Sequence, residues 1–475
     1  MLSNLKPTYV KTGETLLWLG AAGIVLLLSV RTLVEAPVFC DSGYHLSIMQ
    51  RMQEGCRLYT DIGFGYTPLF PHLLLWIERL TGIGPRYEIW LALHLCMLAG
   101  VAGWIFLLTQ NATGSRRWGA FAAWLFYLSA FAVQGDAVLP EAPSLFCGMA
   151  ALWLTVRPQS TPWRFLLAGM LCLCAFGFKQ YGLGFTPLCL WMLLTRRENA
   201  VSGALWFLAG GAAAFALLYG WEPGFISVTG SSYGSNDIAR IRYAKLGPLR
   251  YMPGAWRALF LLAFPALLTA LLPPLYRTRG RIRWMLLCLA GIAGFSGQFY
   301  FSSGDHYFQY LFAFAAIGTS LTGAWMREQG RTELAVWGCL ALLGVGWLLS
   351  RTAGCTNYGI RKQRQQVLAE TVRSHVSPDS ALLVFNATHF GLYYLTGRKP
   401  PVLNGRYCYS YGPLVLTETL MLQKMQASPY ILKVRKTSGW ALKETPDIQY
   451  FCSQCDTIWQ DRSAVLLYHQ TPLEP

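Results

Sequence analysis

The strongest constraint on the fold is a series of long apolar segments separated by short polar gaps. A helix needs about 17–25 apolar residues to cross the hydrocarbon core of a bilayer. The chain has 475 residues, of which 54% are hydrophobic and only 13% charged, whereas a typical soluble domain is about 25% charged. We therefore predict a polytopic α-helical membrane protein. Eleven candidate spans lie at 15–34, 88–109, 118–135, 141–156, 163–178, 180–195, 201–220, 255–274, 283–301, 307–326 and 332–350.

The positive charge of the chain is arranged by membrane side. The formal net charge is +16, which by itself would be compatible with nucleic-acid binding. The basic residues, however, cluster in every second gap between spans, as at 116–117, 196–197 and 277–283. This is the positive-inside pattern of membrane proteins. It predicts a cytoplasmic N-terminus, a C-terminus on the opposite side and no nucleic-acid partner.

Three regions on the predicted outer side are large enough for chemistry, at 35–87, 221–254 and 355–475. The last has the composition of a soluble domain, so we place the membrane domain at 1–354 and an extracytoplasmic α/β domain at 355–475. Apolar and β-branched runs predict its elements. They are a helix at 361–375 and strands at 381–385, 430–434 and 464–468.

Six cysteines lie on the predicted outer side, an even number that fits disulfides in an oxidising compartment. The last two, in a Cys-Ser-Gln-Cys sequence, would alternatively form a redox or zinc pair. The six are Cys40, Cys56, Cys355, Cys408, Cys452 and Cys455.

An acidic residue, Asp41, follows the first span directly. Leu46, Met49 and Met52 recur after it at near-helical spacing, which predicts an amphipathic helix on the membrane surface. An ionised carboxylate is expensive so close to lipid. Asp41 is therefore either a catalytic group or a helix cap stabilised by the helix dipole.

Further polar groups occur at the predicted outer ends of later spans. Glu141 follows Pro140 and suits the first turn of a helix; alternatively, Asp136 and Glu141 face the same cavity as Asp41 and bind a sugar or a cation. Lys179 and Gln180 interrupt an apolar stretch. A buried lysine needs an anionic partner, which is a phosphate or one of these two carboxylates.

Two cationic regions complete the candidate site. His306, beside Tyr307, would contact a phosphate, a hydroxyl or a metal ion, or simply end a helix. Arg240 and Arg242 lie in an outer loop, where positive charge is disfavoured. Phosphate binding would explain them, and a solvated loop is the alternative. Together these groups suit a cavity that accepts a lipid-linked phosphosugar.

The order of these motifs resembles one family of membrane enzymes. It is similar to the GT-C fold glycosyltransferases of the protein mannosyltransferase and aminoarabinose transferase superfamily, family 39 and its bacterial relatives. The resemblance covers about residues 15–350, and it departs from the family at Ser42, where a second acid often follows the first. The motifs that carry it are Asp41, 55–61, 66–71, Leu139-Pro140-Glu141, Lys179-Gln180 and His306-Tyr307.

The resemblance implies an integral membrane glycosyltransferase of a bacterial inner membrane. Its donor would be a polyprenyl-phosphate-linked hexose or pentose, transferred with inversion to a lipid, glycan or protein acceptor, with Asp41 as general base. The resemblance implies no required cofactor, and a divalent cation held by Asp136, Glu141 or His306 would be compatible with the reaction. Substrate binding would fall to Tyr44, Tyr66, Asp136, Glu141, Lys179, Gln180, Arg240, Arg242, His306 and Tyr307.

A multi-span transporter or flippase for a lipid-linked or small polar substrate is the alternative function. It is less favoured because the polar residues concentrate in outer loops rather than near the bilayer midplane.

Overall fold

A computed structural model provides the architecture. The structure describes residues 7–84, 86–132, 135–157, 161–195, 200–226, 279–297, 305–328, 358–385, 391–403, 405–407, 418–434, 445–462 and 464–470.

The predicted spans that fall within the described residues are helical. The sixth is shorter than predicted, because a 3-10 turn at Gln180–Gly184 precedes its α-helix; a second 3-10 turn lies at Asp305–Tyr307. The predicted spans 255–274 and 332–350 lie outside the described residues, so the number eleven stays a prediction. The helices are α1 (Pro7–Glu35), α2 (Cys40–Gln53), α3 (Leu69–Thr81), α4 (Tyr87–Thr113), α5 (Arg116–Ala132), α6 (Glu141–Val156), α7 (Pro162–Phe178), α8 (Phe185–Leu194), α9 (Ala200–Trp221), α10 (Arg279–Ser296) and α11 (Phe308–Glu328).

The segment between α1 and α4, predicted as the first outer loop, is more structured than the sequence suggested. The predicted helix after Asp41 is present as α2, but residues 42–49 are all buried, so the prediction of an amphipathic helix on the membrane surface is wrong. Helix α3 is not one of the eleven predicted spans. It begins within the proline-containing segment Tyr66–Pro71 and ends at Gly82, which has a positive φ of 60°. A glycine in the left-handed conformation is a common helix end, so Gly82 accounts for where α3 stops.

The exterior of the helical domain is apolar. By length and composition, α4 and α9 are long and apolar enough to cross a membrane, and α6, α7 and most of α10 are shorter apolar helices. Large aliphatic side chains on α1 and α9, among them Leu27 and Leu217, stand exposed on the protein surface. An apolar exterior of this extent is what lipid covers. The orientation of the termini stays a prediction.

Close packing of α7 and α9 depends on glycine. A Cβ added at Gly210 of α9 would lie 1.9 Å from the carbonyl oxygen of Leu166, and one added at Gly169 of α7 would lie 1.9 Å from that of Phe207. Small residues let the two backbones approach, as they do in many membrane helix pairs. This contact fixes the first half of α7 against α9, and Lys179 directly follows α7.

The C-terminal region is a small α/β unit, as predicted. Its sheet has the order β1-β4-β6-β5, with β1 parallel to β4 and the other two pairs antiparallel. The three predicted strands correspond to β1, β4 and β6, whereas β5 was missed. The elements are α12 (Tyr358–His375), β1 (Leu382–Val384), α13 (Gly391–Thr396), β2 (Val402–Leu403), β3 (Arg406–Tyr407), α14 (Glu418–Gln426), β4 (Tyr430–Val434), α15 (Pro446–Ser453), β5 (Asp456–Gln460) and β6 (Ala464–Tyr468).

The expectation of outer-side disulfides fails for two cysteines in the described part. Cys56 and Cys455 are free thiols. Burial, with smaller contributions from Cys452 and Asp456, raises the pKa of Cys455 to about 11. A thiol with such a pKa is a poor nucleophile at neutral pH, which argues against the redox pair; the zinc pair stays a prediction. Residues 355 and 408 lie outside the described residues.

The packing of α7 against α9 generates a stability prediction. Gly210→Ala forces a methyl group against the Leu166 carbonyl and should destabilise the protein by about 1–3 kcal/mol, as overpacking does. Gly103→Ala on α4 is the matched control, because nothing lies within 4 Å of its added Cβ. We expect the melting temperature in detergent to fall in Gly210→Ala and to stay unchanged in Gly103→Ala. Equal melting temperatures would contradict the tight contact.

Candidate functional site

The site is built around the first turns of α2. Asp41 is the second residue of this helix, and His45 lies one turn later, so the two share a face. Ser42 points elsewhere: its Oγ accepts a hydrogen bond from the Val138 amide at 2.9 Å and another from the Tyr87 hydroxyl at 3.3 Å. Ser42, at the position where the resembling family often has an acid, therefore fastens α2 to α4 and to the segment before α6.

A buried ion pair links two helix ends beside α2. Glu141 is the first residue of α6, and Lys179 directly follows α7. The Lys179 Nζ lies 3.1 Å from the Glu141 Oε1, and the two side chains are 4% and 0% exposed. Charges removed from water need such a partner. Of the partners that the sequence left open for Lys179, the structure selects Glu141, which also occupies the predicted first helical turn.

Two tyrosines enclose the Lys179 ammonium group. Its Nζ lies 4.5 Å from the ring centroid of Tyr66 and 5.1 Å from that of Tyr307. Cation–π contacts of a desolvated lysine are worth about 2 kcal/mol. The neighbouring Gln180 donates from its Nε2 to the Gly65 carbonyl at 3.3 Å. The Lys179-Gln180 pair thus joins the end of α7 to the loop that leads into α3.

His306 lies between the two carboxylates. Its Nε2 is 3.6 Å from the Glu141 Oε1, and its Nδ1 is 4.0 Å from the Asp41 Oδ2. These distances exceed ordinary hydrogen-bond lengths, and they place the imidazole between the two acidic groups. Lys179, Glu141, His306 and Asp41 form a sequence of alternating basic and acidic groups, which we call the charge chain. Asp41, with its side chain 28% exposed, is its most accessible member.

His45 is a site residue that the sequence analysis missed. Its ring makes edge contacts with Phe70 and Phe64, at centroid distances of 4.9 and 6.0 Å. Its Nδ1 is buried without a hydrogen-bond partner. Burial lowers the pKa of His45 well below its ordinary value of 6.5, and the charges of Lys179 and His306 add to this effect. Its spacing of four residues from Asp41 was the available signal.

The remaining predicted residues divide into two groups. Tyr44 is buried; its ring stacks on Phe64 at 6.0 Å and meets Tyr66 edge-on at 6.4 Å. Asp136 is also buried, and its charge acts on Tyr87, the residue that donates to Ser42. Arg240 and Arg242 lie outside the described residues. Within the described ranges, no group of three or more histidine, cysteine, aspartate or glutamate side chains is arranged to hold a metal ion.

The buried ion pair generates a prediction about stability. Lys179→Met leaves the fully buried Glu141 carboxylate without its cation, which typically costs about 3–5 kcal/mol. In the double variant Glu141→Gln, Lys179→Met no charge is stranded, so it should be more stable than Lys179→Met alone. Wild type, Lys179→Met, Glu141→Gln and the double variant form a double-mutant cycle. Their melting temperatures in detergent measure the coupling between the two charges. Additive effects would show that the two charges do not depend on each other.

The lowered pKa of His45 generates a prediction about pH. Since the unfolded histidine binds a proton below pH 6.5 and the folded one does not, unfolding takes up a proton there. The free energy of unfolding should therefore fall by at most about 1.4 kcal/mol for each pH unit below 6.5. His45→Gln removes the titrating imidazole and, with it, this pH dependence of the free energy of unfolding. The melting-temperature difference between wild type and variant should change between pH 5 and 7, and a constant difference would contradict a neutral His45.

Comparison with known proteins identifies the fold. No family model matches the chain, and no curated protein matches it. Among solved structures, ArnT from Cupriavidus metallidurans bound to undecaprenyl phosphate aligns with a TM-score of 0.54 and 14% identity, over 98% of this chain and 99% of that one. The same protein in the apo state aligns with a TM-score of 0.56 and 14% identity, over 96% of this chain and 98% of that one.

A second solved protein shares the architecture. The archaeal oligosaccharyltransferase AglB from Archaeoglobus fulgidus, in complex with an inhibitory peptide and a dolichol-phosphate, aligns with a TM-score of 0.51 and 11% identity, over 87% of this chain and 69% of that one. At such identities the likeness concerns the fold. The chain has the GT-C fold of membrane glycosyltransferases, as the sequence resemblance implied.

Proposed function

We propose that the protein transfers a monosaccharide from a polyprenyl-phosphate donor to an acceptor nucleophile at the outer face of the membrane. The observation that carries this proposal is the charge chain, which ends at the accessible Asp41 carboxylate within a GT-C fold. Solved proteins of this fold support the donor class: one is bound to undecaprenyl phosphate and another to a dolichol-phosphate.

The proposed reaction is a single displacement. The acceptor oxygen attacks the anomeric carbon, and the bond from that carbon to the phosphate oxygen breaks. Polyprenyl phosphate leaves with the electron pair, and the acceptor proton moves to the Asp41 carboxylate, which acts as general base. Attack opposite to the leaving group inverts the anomeric configuration.

The different burial of the two carboxylates supports this assignment. Glu141 is fully buried and already paired with Lys179 at 3.1 Å, whereas Asp41 is 28% exposed. A general base must come within hydrogen-bond reach of the proton it removes. The partly exposed Asp41 is the carboxylate of the charge chain that an acceptor can approach, whereas the buried Glu141 faces Lys179 and His306.

Negative charge develops on the leaving phosphate, so cations near the site are expected to stabilise the transition state. Lys179 is the cation of the charge chain and His306 a second basic group, and both lie against Glu141 and the ring of Tyr307. Arg240 and Arg242 remain candidates on sequence grounds alone. A divalent cation is compatible with the reaction and is not required by it.

The aromatic surroundings suit a sugar. Tyr44, Tyr66 and Tyr307 lie around the charge chain, and such rings combine an apolar face with a polar hydroxyl. We propose that they and Gln180 contact the donor. A lipid, a glycan and a protein are all acceptor classes consistent with this reading, as are hexose and pentose donors.

Substitution of Asp41 tests the proposed base. Asp41→Asn keeps the shape of the side chain and removes its basicity, so transfer should fall by about 100-fold or more. Since Asp41 is partly exposed, the melting temperature should hardly change. The measurement is consumption of a panel of polyprenyl-phosphate sugars by the purified protein, with thermal stabilisation by each donor recorded in parallel.

The control is Asp379→Asn in the α/β domain, because that side chain is 91% exposed and pairs only with Lys399 among the ion pairs of the described residues. The Asp379→Asn variant should consume donor at the wild-type rate. Wild-type turnover by Asp41→Asn would remove Asp41 from the mechanism. Donor binding without consumption of any donor, even with candidate acceptors present, would favour the transporter or flippase alternative.

A further inference from the structure

The α/β domain makes a paired hydrogen bond to the segment just before the helix that carries Asp41. Gln365 lies on α12, and its carboxamide faces the backbone of Val38. The Val38 amide donates to the Gln365 Oε1 at 2.9 Å, and the Gln365 Nε2 donates to the Val38 carbonyl at 2.9 Å. Both bonds are buried. The side chain therefore satisfies both polar groups of one residue, as a neighbouring strand would.

This paired bond lies immediately before the candidate base. Val38 is three residues before Asp41 and two before the first residue of α2. Gly391, the first residue of α13, covers it: an added Cβ would lie 2.6 Å from the Gln365 Nε2 and 2.7 Å from the Val38 carbonyl oxygen. Only a glycine lets α13 pack this closely, so the bonds are shielded from water.

The far end of α2 is held by the same domain at a different place. The Gln50 Nε2 donates to the Tyr394 carbonyl at 3.1 Å, and the Arg51 Nη2 donates to the Gly397 carbonyl at 3.0 Å. Gln50 is nine residues beyond Asp41 in the same helix, which is about 14 Å at 1.5 Å per residue. Each glutamine thus bonds a backbone group across this contact: Gln365 makes two bonds near Asp41, and Gln50 makes one bond remote from it.

We propose that Gln365 is a positioning residue for the transfer reaction: it fixes the start of α2 and thereby the place of the Asp41 carboxylate relative to His306. The inference rests on the proposed function of Asp41. The α/β domain then acts on the chemistry through the backbone of Val38, without contacting the substrate. A misplacement of about 1 Å in a catalytic group costs up to about 100-fold in rate.

The test compares Gln365→Leu with Gln50→Leu in the full-length protein. Both variants lose side-chain bonds between α2 and the α/β domain. We expect kcat to fall by about 10- to 100-fold in Gln365→Leu, with little change in the KM for donor, and to stay within about twofold of wild type in Gln50→Leu. Equal kcat values in the two variants would overturn the proposal.

Gln365→Glu supplies a readout that a general loss of stability would not move. A neutral carboxylic acid can accept from the Val38 amide and donate to its carbonyl, as the carboxamide does, whereas a carboxylate can only accept. The kcat of Gln365→Glu relative to wild type should therefore rise as the pH is lowered. The relative kcat of Gln365→Leu should stay constant. A constant ratio for Gln365→Glu as well would count against positioning.

Hydrogen exchange separates failure of this inference from failure of the proposed function. If wild type shows no transfer with any donor, the proposed function fails, and amide exchange over residues 38–45 still tests the positioning. Exchange there should be faster in Gln365→Leu than in wild type and unchanged in Gln50→Leu. Unchanged exchange in both variants would overturn the role of Gln365 whatever the activity.

Discussion

The buried ion pair between Lys179 and Glu141 is the interaction on which the site depends. Neither charge is stable in an apolar interior alone, so the start of α6 and the end of α7 must meet. The contact between these helix ends also brings their neighbours together, because Lys179 lies over the ring of Tyr66 and Glu141 faces His306. Segments remote in sequence thus converge because one pair of charges has to be satisfied.

Helix α2 is held by both parts of the molecule. On the membrane-domain side, Ser42 accepts from Val138 and Tyr87; on the other, Gln365 pairs with Val38 and Gln50 with Tyr394. The Asp41 carboxylate would otherwise move with the helix that carries it. None of these contacts uses the Asp41 side chain, so they fix the helix and leave this carboxylate 28% exposed.

Sequence patterns predicted the elements better than the contacts. Apolar length and period predicted the described spans, and the runs at Tyr430–Val434 and Ala464–Tyr468 predicted strands. Strand Asp456–Gln460 was missed because its polar residues interrupt the alternation of apolar residues. Helix α3 was not among the predicted spans because its 13 residues are too few to cross a bilayer. The sequence offered three anionic partners for Lys179 and no means of choosing between them. His45 was missed since its surroundings, Phe64 and Phe70, form only in three dimensions.

The two carboxylates illustrate how burial alone separates roles that sequence leaves equal. Asp41 and Glu141 are both acids in the first turn of a helix, and both face His306. Glu141 has no access to solvent and is committed to Lys179; protonating it would strand a buried cation. Asp41 retains an accessible face, so it can take a proton and release it to water without disturbing the ion pair. A base must be reset after each turnover, and of these two carboxylates only Asp41 can be reset while the structure stays intact.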